Sequence, residues 1–385
     1  MKLASTAAMG AVVSPGGLAV AAAEPTPVPT RPLGKTGIEV PILSFGGSLR
    51  LTQLMLRQAV LWGVTYWDTA SSYMGGNSEA QIGKYLTAFP QDRPKIFLVT
   101  KSHAWGTEGM SADLDESLRR MKTGYIDLFL VHSVGSIAEM DSAKRRWGEN
   151  KKAEGKIRLF GFSTHSNMAQ CLLGAARLGW IDAVMMSYNY RLMVTDAMHR
   201  AVETCAEAGI GLTAMKTQGG GSLSGAGGAE AEMAKNFLSK GFTAGQAKLK
   251  AVWEDKRIAS ICSEMPNMNL FMENVSAALD RTRLADSDRR CLLHHARSTQ
   301  TSYCSGCTRI CEAALGAPVP IGDAMRYLMY ARSYGDWYRA AHHFQQIPKK
   351  TRRLMAHLDY CGAERACPQK MAIGQIIREG LIEFT

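Results

Sequence analysis

Several things are scarce or missing in this chain of 385 residues. Beyond its first residues it has no apolar run suited to a membrane span, which excludes an integral membrane protein of the helical kind. Its lysines and arginines are not interleaved with aromatics in any nucleic-acid motif, so nucleic acid is excluded as a partner. The first strand-like run is followed only by Phe45-Gly46-Gly47-Ser48, far short of the glycine fingerprint that an open, doubly wound dinucleotide sheet wants. What the chain does have is a globular balance, 46% hydrophobic and 21% charged, with a formal net charge of +11. The basic clusters Lys144-Arg145-Arg146, Lys151-Lys152, Lys349-Lys350 and Arg352-Arg353 read as solvated faces. The excess exerts a modest pull on anionic ligands such as a phosphate-bearing cofactor.

The first 23 residues read as a cleaved export signal, with a retained anchor as the second reading. Leu3 to Ala23 is free of charge, Lys2 precedes it, and Ala21-Ala22-Ala23 offers small residues before Glu24. The wording from Lys2 to Val13 resembles the segment that follows the paired arginines of twin-arginine signals, although those arginines are absent. Residues 24–30 form a proline-rich, extended linker. The expectation is an exported, periplasmic protein with no stable membrane span after cleavage.

From residue 31 onward, short apolar runs alternate with helical patterns. Arg31 to Val40 suggests a small hairpin turning at Gly34-Lys35-Thr36-Gly37. Candidate strands follow at 42–45, 64–68, 96–100, 128–132, 158–163, 183–187, 211–215 and 258–263. Between them lie stretches such as Ala112 to Met121, where Leu114, Leu118 and Met121 share one helical face. Strand–helix alternation implies a parallel sheet, because parallel strands need crossovers. Eight such units predict an α/β fold of the (β/α)8 barrel type, of roughly 250 residues. We expect this barrel over residues 31–295, followed by a small, mostly helical, cysteine-rich domain over 296–385.

Three polar residues end successive predicted strands: Asp68, Lys101 and His132, spaced 33 and 31 residues apart. Such spacing is about one strand–helix unit each, and active sites of barrels sit on the rim where strands end. Tyr73 follows Asp68 in a glycine-rich loop. A phenol with an ordinary pKa near ~10 is a poor acid at neutral pH, and a neighbouring ammonium would stabilise its phenolate. Asp68 would then hold Lys101, and His132 would orient a substrate oxygen. The chemistry this suits is carbonyl reduction, with Tyr73 protonating oxygen and a cofactor delivering hydride, which no side chain supplies.

At these residues the chain resembles the aldo-keto reductase family. Residues 67–83 resemble its Asp-and-Tyr motif, Thr100-Lys101 its lysine strand end, and Leu130-Val131-His132 its histidine strand end. The resemblance runs over about residues 31–285. It implies a small-molecule aldehyde or ketone as substrate and NADP or NAD as cofactor. It also implies cofactor contacts from Ser163, Thr164, Met215, Lys216, Glu273 and Asn274. Thr164 stands where the family often has Asn, Met185 where a Gln is expected, and Met215 where an aromatic stacks on the nicotinamide. Ser263 to Glu273 lacks the basic residues that usually grip a 2′-phosphate. Gly219, Gly220, Gly221 and Gly225 suggest a flexible loop over the site, or a plain linker.

The tail holds five of the nine cysteines. Cys304, Cys307 and Cys311 are compactly spaced, and Cys367 is followed by Pro368, the form of a final iron–sulfur ligand in bacterial ferredoxins. The pattern resembles the ferredoxin-like tail of some exported aldo-keto reductases. One [4Fe-4S] cluster on Cys304, Cys307, Cys311 and Cys367 is the first expectation, with Cys361 as the competing fourth ligand. Zinc is the second reading, with His342 or His343 as possible members of the set, and disulfides are the third. Cys171, Cys205, Cys262 and Cys291 read as buried and inert, and His294-His295 as surface residues. Met325 to Ala340, aromatic and arginine-rich, reads as a stretch packing the tail on the barrel. The first functional expectation is thus an exported NAD(P)H-dependent carbonyl reductase. The rivals are an electron-transfer protein that serves a redox partner through its cluster, and a nucleotide-binding protein without turnover.

Overall fold

The computed structural model describes residues 25–220, 223 and 227–384. The expected export signal, and Gly221 and Gly225 of the glycine-rich loop, lie outside the described residues. No helix among the described residues is long and apolar enough to cross a membrane.

The chain opens with an antiparallel pair, β1 (Thr30–Pro32) and β2 (Glu39–Pro41). Eight parallel strands follow: β3 (Leu43–Gly46), β4 (Tyr66–Asp68), β5 (Phe97–Ser102), β6 (Ile126–Val131), β7 (Ile157–Thr164), β8 (Ala183–Ser187), β9 (Gly211–Met215) and β10 (Ser260–Glu264). Each pairs with the next, and β10 pairs with both β9 and β3, which closes the barrel. All eight expected strands form. Because a barrel strand is covered on both faces, it reads as an almost unbroken apolar run, and β6 (IDLFLV) is buried throughout.

Two apolar layers hold the barrel. Inside it pack Tyr66, Phe97, Val99, Leu128, Leu130 and Met185, joined by Leu33 and Val40 of the hairpin. Outside, strand residues such as Trp67, Phe129 and Phe160 meet helix residues such as Leu114, Met121, Trp147 and Cys171. The hairpin closes one end only. Lys35 N donates to Gly209 O at 2.8 Å, just before β9 begins, so the plug sits where the strands start. Gly34 is required there: its φ is +57°, and a Cβ would lie 2.3 Å from Gly209 O. The opposite end, where strands finish, is left for chemistry.

After the helix at Asp286–Ser298, the chain becomes wholly helical. Helices at Thr308–Leu315, Ile321–Arg332, Trp337–Gln346, Lys349–His357, Cys361–Ala366 and Ile373–Phe384 share their own core around Leu328, Phe344, Met355 and Ile377. This helical region is tied to the loops at the strand ends. Asn167 N donates to Gly306 O at 2.7 Å, and Leu223 N to Ser302 O at 2.9 Å. Asn189 Nδ2 donates to the Tyr303 hydroxyl at 3.0 Å. The stretch from Met325 to Ala340 does pack tail on barrel, as its composition suggested.

Candidate active site

Asp68 is the last residue of β4, Lys101 the fifth of β5, and His132 follows β6 directly. Parallel pairing in register puts these ends side by side on one rim. Tyr73 begins a short turn after β4, which is kinked by Met74 and Gly75 at positive φ. The helix at Asn77–Ala88 then starts at Gly76 without a side-chain cap. Glu79 instead goes inward, where it accepts from Thr100 Oγ1 at 2.7 Å and from Arg120 Nη1 at 3.2 Å.

The four residues converge. Lys101 Nζ donates to Asp68 Oδ1 at 2.6 Å and to Thr69 O at 2.8 Å. The same ammonium lies 5.0 Å from the centre of the Tyr73 ring. The Tyr73 ring meets the His132 ring edge-on at 5.6 Å. His103 stacks on His132 at 3.8 Å.

Burial governs the protonation of these groups. It raises the Asp68 carboxyl, opposed by the Lys101 ammonium. It pushes the Tyr73 hydroxyl well up, helped by the Asp68 charge and opposed by Arg339. Burial, and then the Lys101 charge, push His132 well below its ordinary value, so its ring is neutral near pH 7. His132 Nδ1 is buried without a hydrogen-bond partner. The phenol of the resting site is therefore a weaker acid than a free tyrosine, against the expectation that the Lys101 ammonium would lower it.

The expected cofactor residues border the same rim. Ser163 and Thr164 end β7 and are buried; Ser163 Oγ accepts from Ser133 N at 3.0 Å. Met215 ends β9, and Lys216 follows at φ +55°. Lys216 lines a cleft of about 520 Å³ together with His165, Ser187, Cys304 and Arg326. Burial lowers the Lys216 ammonium. Glu273 accepts from Thr243 Oγ1, and Asn274 Nδ2 donates to Ser263 Oγ at 3.0 Å, beyond β10.

The tail brings residues that strand-end reasoning missed. Lys216 Nζ lies 5.3 Å from the Tyr330 ring centre, and the Arg339 guanidinium 4.2 Å from it. Arg339 also approaches Glu264, the last residue of β10, at 3.9 Å. Tyr330 is lowered despite its burial, because Lys216, Arg339 and Arg326 all oppose that burial. Cys262 lies in β10 beside Asp68, and burial pushes its thiol well up. The only sequence signal for the tail residues was the unusual run of arginine and aromatics.

Residues 49–267 match the aldo/keto reductase family. The chain belongs to that family. Its members are oxidoreductases acting on carbonyl and CH–OH groups, and this protein is one of them. Over 110 residues it is 39% identical to a methylglyoxal reductase of Escherichia coli, covering 28% of this chain and 37% of that one. Over 286 residues it is 24% identical to an L-galactose dehydrogenase of Arabidopsis thaliana, covering 66% of this chain and 89% of that one. An aldo-keto reductase from Bacillus halodurans, solved in its holo form, has the same fold: TM-score 0.59 at 22% identity, over 70% of this chain and 96% of that one. A thermostable aldo-keto reductase in complex with the inhibitor epalrestat gives TM-score 0.56 at 22% identity, over 69% and 99%.

Three expectations about this aldo/keto reductase are corrected. The likeness is to aldo-keto reductases at large and the family match stops at residue 267, so it attaches the chain to no exported, periplasmic, ferredoxin-tailed subgroup. Among the described residues no three His, Cys, Asp or Glu side chains are grouped so as to hold a metal ion. The nine cysteines are free thiols. Cys304, Cys307, Cys311 and Cys367 do line one small apolar cavity, whereas Cys361 is exposed and stands outside it. Burial raises Cys304, Cys307 and Cys311 above the ordinary thiol value, so these three are protonated thiols near neutral pH. His295, expected on the surface, is buried, with Nε2 3.0 Å from Glu230 Oε2.

Proposed function

We propose that this protein reduces an aldehyde or ketone to the alcohol with NADPH or NADH, and that Tyr73 is the proton donor. The observation that carries this is the Lys101 ammonium, 2.6 Å from Asp68 Oδ1 and 5.0 Å from the Tyr73 ring centre. When bound, the dihydronicotinamide supplies a hydride to the carbonyl carbon. Ser163, Thr164, Met215 and Lys216 would hold its nicotinamide end, and Glu273 and Asn274 the adenine end.

The chain's own groups handle the proton. Burial keeps the Tyr73 hydroxyl protonated at rest, so it does not lose its proton to water. An alkoxide developing on the substrate is a far stronger base and takes that proton. The phenolate left behind is stabilised by the Lys101 ammonium, which Asp68 and Thr69 O hold in place. Neutral His132 donates an N–H to the substrate oxygen and fixes its direction. The phenolate then recovers a proton from solvent, which balances the cycle.

The proposal divides the chain into a barrel over 31–295, which carries the reaction, and a tail over 296–385, which walls the mouth. It is tested by following NADPH and NADH oxidation against a panel of aldehydes and ketones. Turnover that Tyr73→Phe removes supports the reading; turnover that survives in Tyr73→Phe defeats it.

A further inference from the structure

Tyr73 stands on a strained piece of backbone. Met74, Gly75 and Gly76 follow it at φ +52°, +63° and +89°, three left-handed residues in a row. That conformation is costly for a residue with a Cβ, such as Met74, and persists only where the surroundings hold it. Part of the hold comes from a helix. Arg120 of the helix at Thr107–Met121 donates from Nη1 to Ser71 O at 2.9 Å, two residues before Tyr73. Its guanidinium also lies against Gly76, where an added Cβ would come within 2.4 Å of Nη1. One planar group thus meets the turn on both sides of the tyrosine.

The same guanidinium is tied to the strand that carries Lys101. Arg120 Nη1 donates to Glu79 Oε2 at 3.2 Å, and Glu79 is fully buried. Glu79 Oε1 accepts from Thr100 Oγ1 at 2.7 Å, and Thr100 directly precedes Lys101 in β5. Arg120 Nε donates to Glu116 Oε1 at 2.8 Å, which fixes the plane of the fork on its own helix. The two helices are packed tightly here, since a Cβ at Gly83 would come within 2.0 Å of Arg120 O. A chain of hydrogen bonds therefore runs from Ser71 through Arg120 and Glu79 to Thr100. One end lies beside Tyr73 and the other beside Lys101.

We infer that Arg120, braced by Glu79, is a positioning residue: it sets where the Tyr73 hydroxyl stands relative to the Lys101 ammonium, and so governs proton transfer without touching the substrate. The inference rests on the reductase reading above. A proton donor must come within about 2.6–3.2 Å of the oxygen it protonates. A displacement of about 1 Å at the reacting atoms costs on the order of 10²-fold in rate. Lysine is an incomplete substitute, because a single ammonium lacks the planar fork that meets Ser71 O, Glu79 and Glu116 together.

The test is a mutant cycle on the full chain, reading carbonyl reduction at saturating NADPH or NADH. Arg120→Met is combined with Glu79→Gln, so that no buried carboxylate is left without its cation and the fold is kept. Arg120→Lys is the conservative variant. In the presence of Tyr73, kcat of the double variant should fall roughly tenfold to a hundredfold, with KM and nucleotide Kd changed by no more than about twofold. Arg120→Lys should recover part of that loss. In a Tyr73→Phe background the same substitutions should cost little further, because the hydroxyl they misplace is already gone. An unchanged kcat in the double variant, or a loss confined to KM or nucleotide Kd, overturns the inference. So does an equal loss with and without the Tyr73 hydroxyl, which would assign Arg120 to the fold alone. Each of these leaves the reductase reading intact. No turnover by the native protein, or native-like turnover in Tyr73→Phe, defeats the reductase reading and the inference with it.

Discussion

Lys101 and Tyr73 meet face to face: the ammonium of one lies 5.0 Å from the ring centre of the other. Neither residue is near the other in sequence. They meet because β4 and β5 are paired in parallel, which puts the end of one strand and the loop after its neighbour on the same rim. The ammonium is almost fully buried and bonded to Asp68, so its position is set before any substrate arrives.

That burial makes Lys101→Met a test of both stability and chemistry. Removing the cation leaves Asp68 in the barrel without a counter-charge, at a cost of about 3–5 kcal/mol. Burial raises the Asp68 carboxyl even with Lys101 present, so the native state binds its proton more readily than the unfolded chain does. In the variant that difference grows. Its stability should be greatest below the unfolded carboxylate range and fall as pH rises through the raised value. Melting temperatures at pH 5 and pH 8 should therefore show a larger deficit at pH 8; an equal deficit at both would contradict the assignment.

The three histidines of the mouth act in the opposite sense. His103, His132 and His165 are all lowered, chiefly by burial and secondarily by neighbouring cations. Below about 6.5, the ordinary histidine value, the unfolded chain binds protons that these rings refuse. Stability should then fall as pH drops below that point. His165→Gln should flatten the slope of unfolding free energy against pH between 6.5 and 5. A slope unchanged by the substitution would mean that His165 titrates normally.

The barrel wall offers a purely steric test. Gly161 lies in β7 opposite Ala183, and a Cβ there would come within 1.8 Å of Ala183 O. Gly161→Ala must push β7 and β8 apart, where Ser163 and Thr164 end the same strand. The expected loss is about 1–3 kcal/mol, read in urea denaturation, with a parallel rise in the Kd for nicotinamide nucleotide. A variant as stable as the parent would show that the wall yields more easily than the contact suggests.

The barrel was legible because each of its strands is covered on both faces. That condition writes short apolar runs into the sequence, and Ala183–Ser187 and Gly211–Met215 form with the same limits as those runs. Asp68, Lys101 and His132 were legible because the repeat itself sets their spacing. Arg326 and Arg339 were not. They reach the mouth from helices more than 190 residues beyond His132, and helical periodicity shows a polar face without showing what it touches. His295 was misread for the same reason, since its partner Glu230 lies on another helix. The tail cysteines were read from their spacing, the Cys367-Pro368 pair and a family resemblance. Four of them do share a cavity, but spacing carries no information on whether side chains close to metal-holding distance.

The most direct test of the central claim is the rate of carbonyl reduction by Tyr73→Phe, with NADPH or NADH and the best carbonyl substrate found for the native protein. The substitution removes one oxygen from a partly exposed ring, so melting temperature and nucleotide Kd should stay close to the parent's. With Tyr73 as the proton donor, kcat should fall by roughly 10²–10⁴-fold. A kcat within a few-fold of the native value would contradict the account.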